Sequence, residues 1–108
     1  EQCVFSKMMG SSGSIGSTLN YMPTPYKRIR DYCDAGQYAE AHALQMDVNE
    51  VTKVMIEHSF LGSLKVVMTR MGFDCGQPRL PNSSISEAVK TSLFEALAET
   101  KFDELVAM

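Results

Sequence analysis

The sequence predicts an α/β architecture in which one short strand is set among several helices. Three observations carry this. Apolar residues recur at steps of three and four along most of the chain, the period of a helix with one buried face. Residues 10–20, GSSGSIGSTLN, break that period with a run of glycine and serine around a single isoleucine. A helix start at Thr24-Pro25 follows shortly after, so strand, short loop and helix read as one βα unit. A lone strand cannot bury itself or pair its own backbone, so its partners are expected outside these 108 residues, in a larger protein.

The elements follow in order. Residues 1–9, EQCVFSKMM, place Val4, Phe5, Met8 and Met9 as in the last turns of a helix, with Gly10 to end it and a strand as the alternative. After the glycine/serine run, Thr24 caps and Pro25 fits the first turn; Tyr26, Ile29 and Cys33 share one face, and Gly36 stops the helix. Within residues 37–58, Ala41, Leu44, Val48, Val51 and Met55 form one apolar stripe, which His58 extends near the helix C-terminus, where the helix dipole favours it. Leu61, Leu64, Met68 and Met71 repeat the pattern up to Gly72. Residues 72–83, GFDCGQPRLPNS, are irregular. Ser84 and Glu87 have the spacing of a capping box, ahead of a helix lined by Ile85, Val89, Leu93 and Leu97, and residues 101–108 add a short terminal helix.

Composition narrows the function. Apolar content of 44% and charged content of 21% are those of a globular protein. A formal charge of −3 offers no general attraction to nucleic acid or anionic lipid, so neither is an expected partner. No apolar run approaches the roughly 20 residues of a membrane span, and no signal peptide is visible. Cys3, Cys33 and Cys75 stand far apart without metal spacing and read as reduced thiols of a cytosolic protein. With His42 and His58 alone, no histidine-rich metal site is expected.

The glycine/serine run is the one stretch with chemical content. It is no P-loop, because no lysine stands between Gly16 and Ser17. Gly10, Gly13 and Gly16 do not have dinucleotide-fingerprint spacing, and G-x-S-x-G is absent. A flexible linker suits the composition, but Ile15 gives the run an apolar anchor that a linker does not need. A strand of small residues, against which other backbone packs closely, fits better. In barrels of βα units the strand's C-terminal end faces the substrate. Ser17 stands there with a hydroxyl that both donates and accepts, suited to a polyhydroxylated ligand, beside Gly16, which lets a ligand approach the backbone.

The stretch GSSGSIGSTLNYMP, with LQMDVNEV, LGSLKVVM and GFDCGQPRLP, resembles the C-terminal part of the N-acetylneuraminate lyase (sialic acid aldolase) family. GSIGSTLN and GQPRLP are the most specific pieces; dihydrodipicolinate synthase, of the same superfamily, is a weaker match. The resemblance implies the end of a (β/α)₈ TIM barrel, with residues 1–36 as its last helix, strand and helix, and residues 37–108 as a C-terminal helical extension. It implies a class I aldolase, a cytoplasmic homotetramer that needs no metal or organic cofactor. In that chemistry a lysine forms a Schiff base with the pyruvate carbonyl, a tyrosine relays protons, and N-acetylneuraminate is cleaved to N-acetyl-D-mannosamine and pyruvate. Lysine and tyrosine both lie in strands upstream of this chain, so no catalytic residue is expected here. Ser17, with Gly16, matches the serine that binds the sugar part of the substrate. The alternative is a small helical interaction module, its eight methionines forming an adaptable groove.

Overall fold

A computed structural model describes residues 1–108. Six α-helices follow one another: α1 (Cys3–Met8), α2 (Pro23–Asp34), α3 (Tyr38–Glu57), α4 (Phe60–Arg70), α5 (Glu87–Ala98) and α6 (Phe102–Val106). Between α1 and α2 lies a single 3₁₀ turn, Ser17–Asn20. No helix is long and apolar enough to cross a membrane.

The long helix α3 organises the rest. Ala41, Val48, Val51 and Met55 of its expected stripe have no solvent exposure, and Leu44 packs at the margin of the same core. Tyr26, Ile29 and Cys33 of α2 close on it, with Val4 of α1, Leu93 and Leu97 of α5, and Phe102 and Leu105 of α6. Two polar side chains share this interface. Gln45 Oε1 accepts a hydrogen bond from the Cys3 amide at 2.9 Å, one of the donors left unpaired at the start of α1. The Thr52 hydroxyl donates to the Val48 carbonyl at 2.8 Å. All three cysteines are free thiols, Cys3 and Cys33 inside the core.

Helix ends follow the glycines. Gly10 (φ +90°) and Gly36 (φ +74°) take the left-handed conformation that a side chain disfavours. After α1 the Ser11 amide reaches the Ser6 carbonyl, and after α2 the Gln37 amide reaches the Tyr32 carbonyl. These bonds satisfy carbonyls that a helix end would otherwise leave open. Gly72 ends α4 in the same way, through Phe73 and Met68.

Several expectations are corrected. The strand does not form: residues 11–16 carry no regular element, although Gly16 is extended (φ −162°, ψ 149°). A strand exists by sharing its amides and carbonyls with a neighbour, and this chain supplies none. Ile15 is no anchor here; it is fully exposed. Helix α2 starts at Pro23, so Thr24 and Pro25 lie inside its first turn and Thr24 caps nothing. The cap of α5 is Ser86, whose Oγ accepts from the Val89 amide at 3.3 Å, while the Ser84 hydroxyl is engaged by Gln77. On α4, Leu61 and Met71 are exposed, and Gly62, Ser63, Leu64 and Val67 form the buried face. The expected place of His58 near the end of α3 holds: it is the C-cap, its Nδ1 bonds the Val54 carbonyl at 2.8 Å, and Ser92 of α5 meets Nε2 at 3.1 Å.

Gly62 explains the turned face of α4. A Cβ at this position would lie 2.8 Å from Ile85 Cγ2, 3.1 Å from the Ser83 carbonyl oxygen and 3.3 Å from the Ile85 amide nitrogen. Glycine-to-alanine in a helix ordinarily gains about 1 kcal/mol. Here two of the three neighbours are backbone and the third is a branched methyl close to it, so steric displacement outweighs propensity. Gly62→Ala is expected to lower stability by about 1–3 kcal/mol, read as a drop in Tm; a rise in Tm would show that the 83–85 segment yields freely.

Two buried tyrosines give a pH dependence. Burial pushes the Tyr21 hydroxyl well above its ordinary range, and neighbouring Tyr26 pushes it further. Thr52 offsets part of this, but its own proton goes to Val48, and the Tyr21 hydroxyl is left without a hydrogen-bond partner. Burial raises Tyr26 as well, with Thr18 and Thr52 offsetting. The unfolded chain then releases these protons first, so stability is full below about pH 10 and falls as pH rises beyond it. Tyr21→Phe is expected to flatten that alkaline loss without lowering stability at pH 7, because it removes a buried hydroxyl that has no partner. Denaturant unfolding at pH 7 and pH 10.5 measures both.

Candidate functional site

The glycine/serine stretch leaves α1 through the Gly10 turn, meets Arg30 of α2 at Ser11 and Ser12, and runs on to the 3₁₀ turn that precedes α2. The first polar group it presents after Gly16 is Ser17. Gly16 accepts the Leu19 amide at 3.1 Å, and Asn20 Nδ2 donates to the Ser17 carbonyl at 2.9 Å, so the 3₁₀ turn is pinned at both ends. Directly behind it, Tyr21 and Met22 are fully buried and anchor the turn to the core. Ser17 is exposed, and its hydroxyl has no partner within the chain.

Gly16 and Ser17 stand on the wall of a cleft of about 410 Å³. One side is the backbone of residues 14–19, extended at Gly16 and in the 3₁₀ turn from Ser17 onward; the other is built from Glu1, Cys3 of α1, Tyr26 of α2, Thr52 and Ile56 of α3, and Phe60 of α4. Small residues on the first side leave the backbone open to a ligand, and the aromatic and aliphatic residues on the second give it apolar surface. The two expected binding residues are thus brought together on one cleft. Sequence reasoning placed Tyr26 on the buried face of α2 but did not connect it, Cys3 or Thr52 with Ser17. Nothing local in the sequence joins these positions; only the packing of α1, α2 and α3 does.

A second cleft, of about 560 Å³, lies between α4, α5 and the 72–86 segment, away from Ser17. Its cations are already engaged. Lys65 donates to the Cys75 carbonyl, Lys90 faces Glu87 at 3.6 Å, and Arg70 lies over the Phe94 ring at 4.4 Å.

No lysine lines the Ser17 cleft. Lys7 pairs with Asp34 at 2.7 Å, Lys27 with Asp31 at 2.6 Å, Lys53 with Glu57 at 3.9 Å and Lys101 with Asp47 at 2.9 Å. With Lys65 and Lys90 these are all six lysines of the chain. A nucleophilic lysine needs a desolvated amine that gives up its proton near neutral pH. Lys101 is shifted the opposite way, raised by its hydrogen bond to Asp47.

Residues 2–100 match the Dihydrodipicolinate synthetase family. Over 98 residues the chain is 35% identical to the N-acetylneuraminate lyase of Rhizobium meliloti (strain 1021), an alignment covering 91% of this chain and 33% of that protein. The chain therefore spans about a third of the length of this relative. A match running from α1 into the residues after α5, through the Gly16–Ser17 turn and every helix that walls the cleft, assigns the chain: it belongs to the dihydrodipicolinate synthetase family.

Proposed function

We propose that this chain is the C-terminal portion of a Schiff-base aldolase that cleaves N-acetylneuraminate to N-acetyl-D-mannosamine and pyruvate. Residues 1–36 belong to the end of its barrel and residues 37–108 to a helical extension; the whole protein works as a cytoplasmic homotetramer. The observation that carries the reading is the free Ser17 hydroxyl beside Gly16 on an open cleft, within a chain that matches the family along nearly its whole length. Exposed Phe5, Met9 and Ile15 around the glycine/serine stretch support it, because a barrel would cover them.

The chemistry divides between two parts of the protein. A lysine outside this chain attacks the ketone carbonyl of the 2-keto acid, and the resulting iminium takes up the electrons of the breaking C–C bond. Ser17 acts on the other half of the substrate. Its hydroxyl holds a hydroxyl of the polyol tail, and Gly16 lets that tail lie against the backbone. Such a contact is made in ground and transition state alike, so it acts on KM more than on kcat.

Two outcomes follow. Ser17→Ala in the full-length protein is expected to lower kcat/KM for N-acetylneuraminate by about 2- to 10-fold, and by up to roughly 100-fold if the sugar group is left buried and unpaired. Borohydride trapping of pyruvate is expected to stay unchanged, because pyruvate has no tail; loss of trapping in a folded variant would move Ser17 to the iminium half of the site. The 108-residue chain alone, incubated with pyruvate and borohydride, is expected to show no adduct by mass spectrometry. A pyruvyl adduct on any of its lysines would overturn the division of the site. A dihydrodipicolinate synthase-like reaction on another 2-keto acid would show itself as turnover that is insensitive to Ser17→Ala.

A further inference from the structure

We propose that Arg30 is a positioning residue for the Ser17 site: from α2 it grips the backbone of the glycine/serine stretch and fixes where Gly16 and Ser17 stand. The inference rests on the reading of Ser17 as the group that binds the substrate tail.

The stretch has little else to hold it. Residues 11–16 form no regular element, Ser14, Ile15 and Gly16 are exposed, and no side chain among them enters the core. The Ser11 hydroxyl donates to the Gly13 carbonyl at 2.7 Å, which tightens the stretch locally but ties it to nothing. The one side chain that reaches it from a distant element is Arg30. Its Nη2 donates to the Ser12 carbonyl at 2.9 Å and lies 3.4 Å from the Ser11 carbonyl. Charge-assisted donors of this kind are stronger than neutral ones, and the planar guanidinium fixes direction as well as distance.

The other arm of the fork is informative. Arg30 Nη1 is buried and has no hydrogen-bond partner. A buried donor left unpaired is costly, so a residue retained for stability alone is poorly explained by it. Arg30 and Tyr26 lie one helical turn apart on α2. The same helix therefore holds the stretch through Arg30 and walls the cleft through Tyr26, setting the width between them.

The test uses the full-length protein and N-acetylneuraminate. Arg30→Gln, which keeps a donor but loses the charge and the fork, is expected to raise KM by about 3- to 10-fold with kcat within about twofold and pyruvate trapping unchanged. Arg30→Lys is expected to recover part of that loss. In a Ser17→Ala background Arg30→Gln is expected to add nothing, because Arg30 acts through Ser17. Independent multiplication of the two effects, or an unchanged KM in Arg30→Gln, would overturn the proposal. So would a parallel fall in pyruvate trapping, which marks general loss of structure.

Hydrogen exchange supplies a readout that needs no turnover. Arg30→Gln is expected to speed exchange at the two hydrogen-bonded amides that flank the stretch, Ser11 and Leu19, by about threefold or more, with those of α3 unchanged. If that variant does not fold, Arg30→Lys is measured instead, with a smaller acceleration expected. Absence of turnover in the parent protein with this substrate would remove the functional reading of Ser17, and the exchange result would still decide the clamp. Unchanged exchange at Ser11 and Leu19 would end it.

Discussion

The fully buried line of Ala41, Val48, Val51 and Met55 on α3 is the contact on which everything else depends. Each of α1, α2, α5 and α6 contributes side chains to the core around it. Burying such side chains contributes on the order of 1.5–3 kcal/mol each, more than any surface ion pair in the molecule. Lys27–Asp31 and Lys53–Glu57 join residues four apart on one exposed helix face, and Lys101–Asp47 is a surface pair. They dress the structure; the stripe makes it.

That line also explains why the site stands where it does. Gln45, on the same helix, takes the Cys3 amide and so fixes the start of α1. The end of α1 is fixed by its glycine turn, and the stretch that follows must cross to α2. Its two ends are held by the core, through Val4 on one side and Tyr21 and Met22 on the other. Between those anchors the backbone is free to serve a ligand, because small side chains occupy no space above it. A core residue at position 16 or 17 would have closed the cleft.

Legibility in the sequence followed the physics of each element. Helix α3 was plain because five apolar residues keep one period over fifteen positions, and tertiary packing can only agree with so strong a pattern. The stops at Gly10, Gly36 and Gly72 were equally plain, since the backbone there needs a conformation that glycine takes most readily. Starts were less legible. Pro23 and Pro25 both fit a first turn, and Ser84 and Ser86 both resemble caps, so the choice fell to tertiary contacts: Gln77 takes the Ser84 hydroxyl and leaves Ser86 to cap. The strand is the clearest failure. Its composition is right, but a strand is a property of two segments, and a sequence holding one of them does not form it. Of the candidate cleft, Ser17 and Gly16 were the residues the sequence pointed to, whereas Tyr26, Thr52 and Arg30 enter through the packing of α2 and α3 alone.

The division between a rigid base and a sparsely supported lip has a chemical consequence. A group that recognises a polyol tail contributes little to the barrier and much to selection among substrates, since a misplaced hydroxyl leaves buried polar groups unpaired. Selection of this kind demands that the donor be held in place before the ligand arrives; otherwise binding must supply the ordering. Glycine and serine give close approach but no packing, so order has to come from hydrogen bonds to the backbone itself. The structure provides several: the Asn20 amide on the Ser17 carbonyl, the Leu19 amide on Gly16, the Ser11 amide and hydroxyl on the Ser6 and Gly13 carbonyls, and the Arg30 guanidinium on Ser11 and Ser12. The first two come from within the turn and move with it. The Arg30 guanidinium is the bond that ties the stretch to α2, which makes α2 both a wall of the cleft and the reference against which the opposite wall is set.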